Sequence, residues 1–199
     1  HWRLQSPVDD LFFIKMGTGI GSGMILGNHI HRGALGAAGD IGHVYVGPDD
    51  VLCRCGNLGC LEASAGGGAL ADHLRTLGYD TNNGRDVVRL VRAGNTDAVQ
   101  LIRNAGRLVG RVLAAIVNLL NPAVIMIGGD VAAAGEELMA GIRETVYGRS
   151  TALSTADLRI VPSSLGDRAG ITGAAAMVIE HVLAPVAVDR GLSTREAVG

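Results

Sequence analysis

The chain's three cysteines all lie within eight positions, at Cys53, Cys55 and Cys60, and His43 stands ten residues ahead of the first. A Cys-x-Cys-x4-Cys run offers three thiolates from one loop, and Gly56 and Gly59 let the backbone fold back between them. Three thiolates and one imidazole form the donor set of a closed tetrahedral zinc site, which is structural because no coordination position stays open. His43 is the nearest histidine upstream, with His31 and His73 as competitors for the fourth place. The alternative is three reduced thiols without a ligand. A loop this rich in glycine buries too little apolar surface to order itself, and a metal supplies that order. An odd cysteine count also argues against a disulfide framework.

Two carboxylates flank the cluster. Asp40 lies three residues before His43, and Glu62 two residues after Cys60. A metal clamp would draw both ends of the segment together, so that Asp40, His43 and Glu62 converge on a small polyhydroxy ligand. The competing reading makes Asp40 a turn cap and Glu62 a solvated residue at a helix start, where the dipole favours an acid. Spacing alone does not choose between them. GTGIGSG (17–23) is glycine-rich, but it does not fit the G-x-x-x-x-G-K-[ST] phosphate loop and joins strand to strand. GGD (128–130) reads equally as a simple strand-to-helix turn. His29, His31, His73 and His181 read as surface or loop histidines, and Arg85, Arg89 and Arg92 as a solvated helix face.

The elements that must position these residues follow from the pattern. LFFIKM (11–16) is an apolar strand ending in the glycine turn, and MILGNHIHRG (24–33) is a strand, a tight turn at Gly27-Asn28 and a second strand. Residues 34–46 form a small-residue loop leading into a short strand. Residues 61–78 hold two helices broken around Gly66–Gly68, with Gly78 as the closing cap. GRDVVRLVRAG (84–94) is a short amphipathic helix. The next helix is capped by Asn95 or Thr96 and stopped by Pro122. AVIMIGG (123–129) is a fully buried strand, DLRIVPS (157–163) is a strand that likewise lacks polar alternation, residues 136–150 and 167–183 are helical, and the tail 184–199 is loosely held. Helices alternating with strands imply an α/β domain with a covered sheet and an antiparallel opening.

Composition sets the outer bounds. The 199 residues are 48% hydrophobic, enough for a substantial core, yet only 3% aromatic, so aliphatic side chains must build it. A net charge of −2 supplies no basic field for nucleic acid. The longest apolar stretch, 109–129, is interrupted by Arg111, Asn118, Asn121 and Pro122, which excludes a membrane span. With no secretory signal pattern, the expected compartment is the cytoplasm.

AAGDIGHVYV (37–46) followed by CRCGNLGCLEA (53–63) resembles the ROK family of repressors, open reading frames and sugar kinases. The pattern is Gly-(Glu/Asp)-x-Gly-His, a spacer, then Cys-x-Cys-Gly-x-x-Gly-Cys-x-Glu, and type and spacing agree at His43, Cys53, Cys55, Gly56, Gly59, Cys60 and Glu62. GTGIGSG, RGALGAAGD (32–40), NPAVIMIGGD (121–130) and LGDRAGITGAA (165–175) extend the resemblance over nearly the whole chain. The resemblance implies an actin-like, hexokinase-like ATPase fold of the ribonuclease H-like class. It implies structural Zn²⁺ on His43, Cys53, Cys55 and Cys60, and sugar hydroxyl contacts from Asp40, His43 and Glu62. In kinase members Gly17, Thr18 and Gly19 approach the nucleotide phosphates of ATP/Mg²⁺, while Gly128 and Gly129 lie near the adenosine.

Two departures from the kinase pattern matter. Family kinases take the sugar hydroxyl proton with the aspartate of an Asn-Asp pair upstream of the strand resembling LFFIKM, and no Asn-Asp precedes residue 11. Asp9 and Asp10 stand in a linker-like stretch. Phosphoryl transfer needs a base and phosphate positioning together, so no catalytic residue is assigned. Kinase members also carry Glu where this chain has Asp40, and the Asp version resembles the repressor branch. The expectation is therefore the C-terminal sugar-sensing lobe (1–183) of a ROK repressor. Its effector would be a sugar or sugar phosphate. DNA contact would come from an N-terminal winged-helix domain outside this chain, and the assembly would be a homodimer or homotetramer. The alternative is the C-terminal part of an ATP-dependent sugar kinase.

Overall fold

The computed structural model describes residues 8–47 and 51–183, and contacts divide the chain into two compact units at Ser164/Leu165. The first unit is built on a five-stranded mixed sheet of order β3-β2-β1-β4-β5. Its strands are β1 (Leu11–Met16), β2 (Ile20–Leu26), β3 (His29–His31), β4 (Val124–Gly128) and β5 (Arg159–Pro162). β1, β2 and β3 pair antiparallel, whereas β4 runs parallel to both β1 and β5. The expected hairpin turn is present: Gly27 and Asn28 both have positive φ, at 54° and 65°, as a two-residue primed turn requires. Asp10 is structural, because its carboxylate accepts the Gly27 N–H at 2.9 Å and holds that turn.

Period-2 alternation splits the central strands between two faces. Phe12, Ile14 and Met16 of β1 and Ile125 and Ile127 of β4 face the main core. Leu11, Val124 and Met126 face a smaller cluster on the other side. The main core is covered by α4 (Thr96–Leu120), through Ile102, Val109, Leu113 and Val117, and by α5 (Glu136–Arg149), through Leu138, Ile142 and Val146. The Asn95 side chain caps α4 by accepting the Ala98 N–H at 3.0 Å, and Asn121 ends it in the left-handed conformation just before Pro122. Glycines let α4 and α5 approach backbone to backbone. A Cβ on Gly106 would lie 3.2 Å from the Gly141 Cα, and one on Gly141 would fall on the Arg103 carbonyl oxygen.

Three smaller helices precede α4: α1 (Leu61–Ala65), α2 (Gly67–Thr76) and α3 (Gly84–Arg92). The break between α1 and α2 is at Gly66, as the glycine run predicts. The arginines of α3, read as a solvated face, partly tie the helix down. Arg85 pairs with Asp130 at 3.3 Å and Arg92 donates to the Ala133 carbonyl at 3.0 Å, both in the turn that follows β4. The sequence does not mark α6 (Ala152–Thr155), a single turn capped by Thr151.

Three boundaries differ from expectation. The glycine turn is shorter, because Gly21 and Gly23 pair with Lys15 and Phe13 inside β2. The short strand near residue 45 is a single bridge, Tyr45 to Cys60, because Val46 and Gly47 both donate to the Gly59 carbonyl and end the ladder. β5 is not fully buried: it is the sheet edge, with Arg159 and Pro162 exposed, where proline's missing donor does no harm. In the second unit, a 3₁₀ turn at Gly166–Arg168 leads into the predicted helix, α7 (Ala169–Val182). The tail 184–199 and the His181 side chain lie outside the described residues.

The helix crossing generates a paired test. Gly141→Ala should lower stability by about 1–3 kcal/mol through overpacking. Gly148→Ala on the same helix, where a Cβ meets open space, should raise it by about 0.5–1 kcal/mol. Denaturant unfolding of both variants is the measurement, and a neutral Gly141→Ala would contradict the close approach.

Candidate functional site

The cysteine segment is a small knuckle. Leu52 and Leu58 bridge its two arms, Cys53 N–H donates to the Asn57 carbonyl at 2.8 Å, and Gly56 N–H returns to the Cys53 carbonyl at 3.0 Å. Gly56 and Gly59 have φ of 93° and 68°, a conformation that disfavours side chains, so both predicted fold-back points are used. Leu61 N–H donates to the Val44 carbonyl at 2.9 Å and joins the knuckle to the segment carrying His43.

These bonds bring the four expected ligands together: one donor atom each from His43, Cys53, Cys55 and Cys60 lies within 4.8 Å of all the others. His43 Nδ1 is 3.5 Å from Cys53 Sγ, and Cys55 Sγ is 3.7 Å from Cys60 Sγ. His31 and His73, the competing histidines, are exposed on β3 and α2 and do not join the cluster. Cys53 and Cys60 are buried and Cys55 is exposed. Desolvation, reinforced by the neighbouring thiols, pushes Cys60 up to about 12. The Asn57 N–H, with help from Cys53 and Cys60, draws Cys55 below its usual value. Soft sulfur donors with one imidazole, converging at this spacing, fit a metal ion of the zinc type.

His43 Nε2 lies 3.9 Å from Asp40 Oδ1, with the Asp40 side chain 65% exposed and so open to a ligand. Asp40 caps nothing: the 3₁₀ turn Ile41–His43 that follows it has no side-chain cap. Glu62 is not a solvated helix start either. It is half-buried in α1, and its Oε2 accepts the Ile20 N–H at 2.9 Å. Gly42 lets the His43 turn lie against this point, since a Cβ there would fall on the Ile20 carbonyl oxygen and sit 3.6 Å from Glu62 Cβ. Asp40, His43 and Glu62 thus border one region.

Glu62 also meets the glycine turn. Gly67 and Gly68, whose N–H groups open α2, donate to the Gly17 and Thr18 carbonyls at 2.8 and 2.9 Å. The turn therefore caps α2 through its own backbone. Gly128 and Gly129 come beside it: Gly129 has φ of 93° and packs on the Met16 backbone, so a Cβ there would lie 2.6 Å from the Met16 carbonyl carbon. The two glycine segments singled out in the sequence are thus neighbours at the ends of β1 and β4. The sequence reading missed the Ile20–Glu62 bond; Gly42, inside the Gly-His motif, was the available signal. It also missed an open groove of about 480 Å³ between Ile41, Val44, Tyr45 and Val46 and the Arg111–Leu119 stretch of α4. Its apolar walls do not suit a polyhydroxy ligand.

With this geometry in view, family comparison is decisive. The model of the ROK family matches residues 1–181. The chain belongs to the ROK family. It is 34% identical over 190 residues to a putative xylose repressor of Caldicellulosiruptor sp., covering 89% of this chain and 48% of that protein. A ROK family glucokinase from Streptomyces griseus, solved with glucose and AMPPNP, superposes with a TM-score of 0.77 at 31% identity, over 87% of this chain and 62% of that one. A ROK family transcriptional regulator, homologue of the E. coli MLC protein, superposes with a TM-score of 0.73 at 29% identity, over 78% of this chain and 42% of that one. The chain spans about half the length of the curated relatives it matches. The hexokinase-like ROK fold expected from the motifs is present, with its mixed α/β sheet. Among the described residues no helix is long and apolar enough to cross a membrane.

The raised Cys60 thiol makes a prediction. In the metal-free protein this group holds its proton at neutral pH, because its value of about 12 lies far above 7. Metal must displace that proton, so affinity falls as pH falls. Titration calorimetry with Zn²⁺ at pH 8, in buffers of different ionisation heat, should report release of at least one proton per ion. Uptake without proton release would contradict thiolate ligation by Cys60.

Proposed function

We propose that this chain is the sugar-sensing portion of a ROK transcriptional repressor. In this reading a structural Zn²⁺ on His43, Cys53, Cys55 and Cys60 orders a sugar site made by Asp40, His43 and Glu62. The observation that carries it is the division of His43 between two tasks: Nδ1 among the sulfurs, Nε2 toward Asp40. A ring fixed on one nitrogen presents the other in a defined direction, which is how a metal disciplines a ligand-binding histidine. The ion would supply a cross-link, with four protein ligands and no open position. Asp40 and Glu62 accept hydrogen bonds from sugar hydroxyls, and His43 Nε2 completes the set.

Repressor-type relatives, including the putative xylose repressor, support sensing over catalysis, as does Asp40 in the place where kinase members usually carry Glu. Effector binding would act by favouring one of two protein conformations through differential affinity. DNA contact is assigned to a winged-helix domain outside these residues, in a homodimer or homotetramer working in the cytoplasm. A second reading, an ATP-dependent sugar kinase completed by a further lobe, draws on one observation. Gly129 packs on the backbone of Met16, the residue before Gly17, at the strand ends, in a fold shared with a glucokinase holding a nucleotide analogue.

A thermal-shift panel of pentoses, hexoses, N-acetylhexosamines and their phosphates tests the site. A cognate sugar at about 100 times its Kd should raise Tm by about 3–10 °C. Asp40→Ala should abolish that shift while retaining one metal per chain. A panel without any response, or an Asp40→Ala variant that responds like wild type, would reject the sugar site. Turnover of ATP with the cognate sugar by the intact protein would move the assignment to the kinase.

A further inference from the structure

Gly19 is a glycine for a reason other than backbone freedom. Its φ is not among the positive ones, so its conformation admits any L residue. What a side chain would meet is the Glu62 carboxylate: a Cβ at Gly19 would fall on Glu62 Oε2 and lie 2.7 Å from the carboxyl carbon, so Glu62 would have to move. The next residue supplies the bond that draws the carboxylate there, the Ile20 N–H to Oε2 at 2.9 Å. Gly42 closes the recess from the other side, against the Ile20 carbonyl and Glu62 Cβ. Among the described residues no hydrogen bond or ion pair engages Oε1.

We propose that Gly19 is the positioning residue of the ligand site: its bare Cα and the Ile20 N–H fix Glu62 so that Oε2 is held by the chain and Oε1 alone is offered to a ligand hydroxyl. This rests on the reading of Asp40, His43 and Glu62 as a sugar site. A carboxylate oxygen only accepts hydrogen bonds, so a fixed Oε1 selects a ligand with a hydroxyl donor at that one place. Anchoring the side chain beforehand also removes the cost of ordering it on binding. The same contact ties ligand capture to the glycine turn, whose Gly17 and Thr18 carbonyls hold the start of α2.

The test is a double-substitution cycle on the zinc-loaded intact protein, titrated with whichever sugar the wild type binds. Gly19→Ala should weaken binding by about tenfold or more with metal content unchanged. Glu62→Asp removes one methylene where Gly19→Ala adds a methyl. The combined variant should therefore bind more tightly than Gly19→Ala alone, a coupling that a merely structural glycine would not produce. Strictly additive losses, or a Gly19→Ala variant that binds like wild type, overturn the assignment. Should Gly19→Ala fail to fold, Glu62→Gln decides. Its single amide oxygen would take the Ile20 N–H and turn a donor toward the ligand, so binding should again fall about tenfold, and unchanged binding overturns the proposal. A wild type that binds no sugar overturns the underlying reading, and this assignment with it.

Discussion

An imidazole has two nitrogens on opposite sides of a small rigid ring, and the candidate site depends on His43 using both. One side joins three sulfurs from a knuckle that has almost no apolar interior of its own. The other side looks onto Asp40 at the protein surface. Whatever fixes the sulfur side therefore fixes the polar side. The knuckle's backbone bonds bring the donors to within 4.8 Å of one another, but several of those donors are thiols packed side by side. Such packing is unfavourable for charged sulfurs without a cation between them. Burial, reinforced by the neighbouring thiols, pushes Cys60 up to about 12, and a divalent ion bound there would offset the cost of charged sulfurs.

Glycine does the complementary work. Gly19, Gly42 and Gly66 let three segments meet around Glu62 with backbone in contact: the turn after β1, the 3₁₀ turn carrying His43 and the junction of α1 with α2. Helical and strand propensity would be better served by almost any other residue at these places. Their cost is offset by the bonds that close approach permits, such as Gly67 N–H to the Gly17 carbonyl at 2.8 Å. The sheet behind them is conventional. β1 and β4 lie parallel at its centre, β4 buried throughout and β1 exposing only Lys15, and their ends hold the two glycine segments.

Much of this was legible in the sequence. The convergence of His43, Cys53, Cys55 and Cys60 into a cluster that could hold a metal could be read from residue type and spacing, because thiolates three to a loop have few other uses. Helices α3, α4 and α5 and strands β1 and β4 followed from periodicity, since each buries a whole face. What escaped was set by partners far along the chain. The Ile20 N–H that holds Glu62 is 42 residues away from it, and nothing local distinguishes that amide from its neighbours. The edge position of β5, the collapse of the expected strand at Tyr45 into one bridge, and the tie between Arg85 and Asp130 belong to the same class. Asp40 and Glu62 were ambiguous for a related reason: an acid near a turn or a helix start looks alike whether it caps, solvates or binds. The absent cap at Asp40 and the bond from Ile20 to Glu62 set aside only the capping and the freely solvated readings.

The account turns on the metal side of His43 governing the ligand side. The most direct measurement is the affinity of the intact protein for its sugar before and after removal of the ion by a chelator, with circular dichroism recording that the sheet and helices persist. The account predicts that binding is lost with the metal, while secondary structure remains, and returns on adding one equivalent of Zn²⁺. Equal affinity with and without the ion would contradict it.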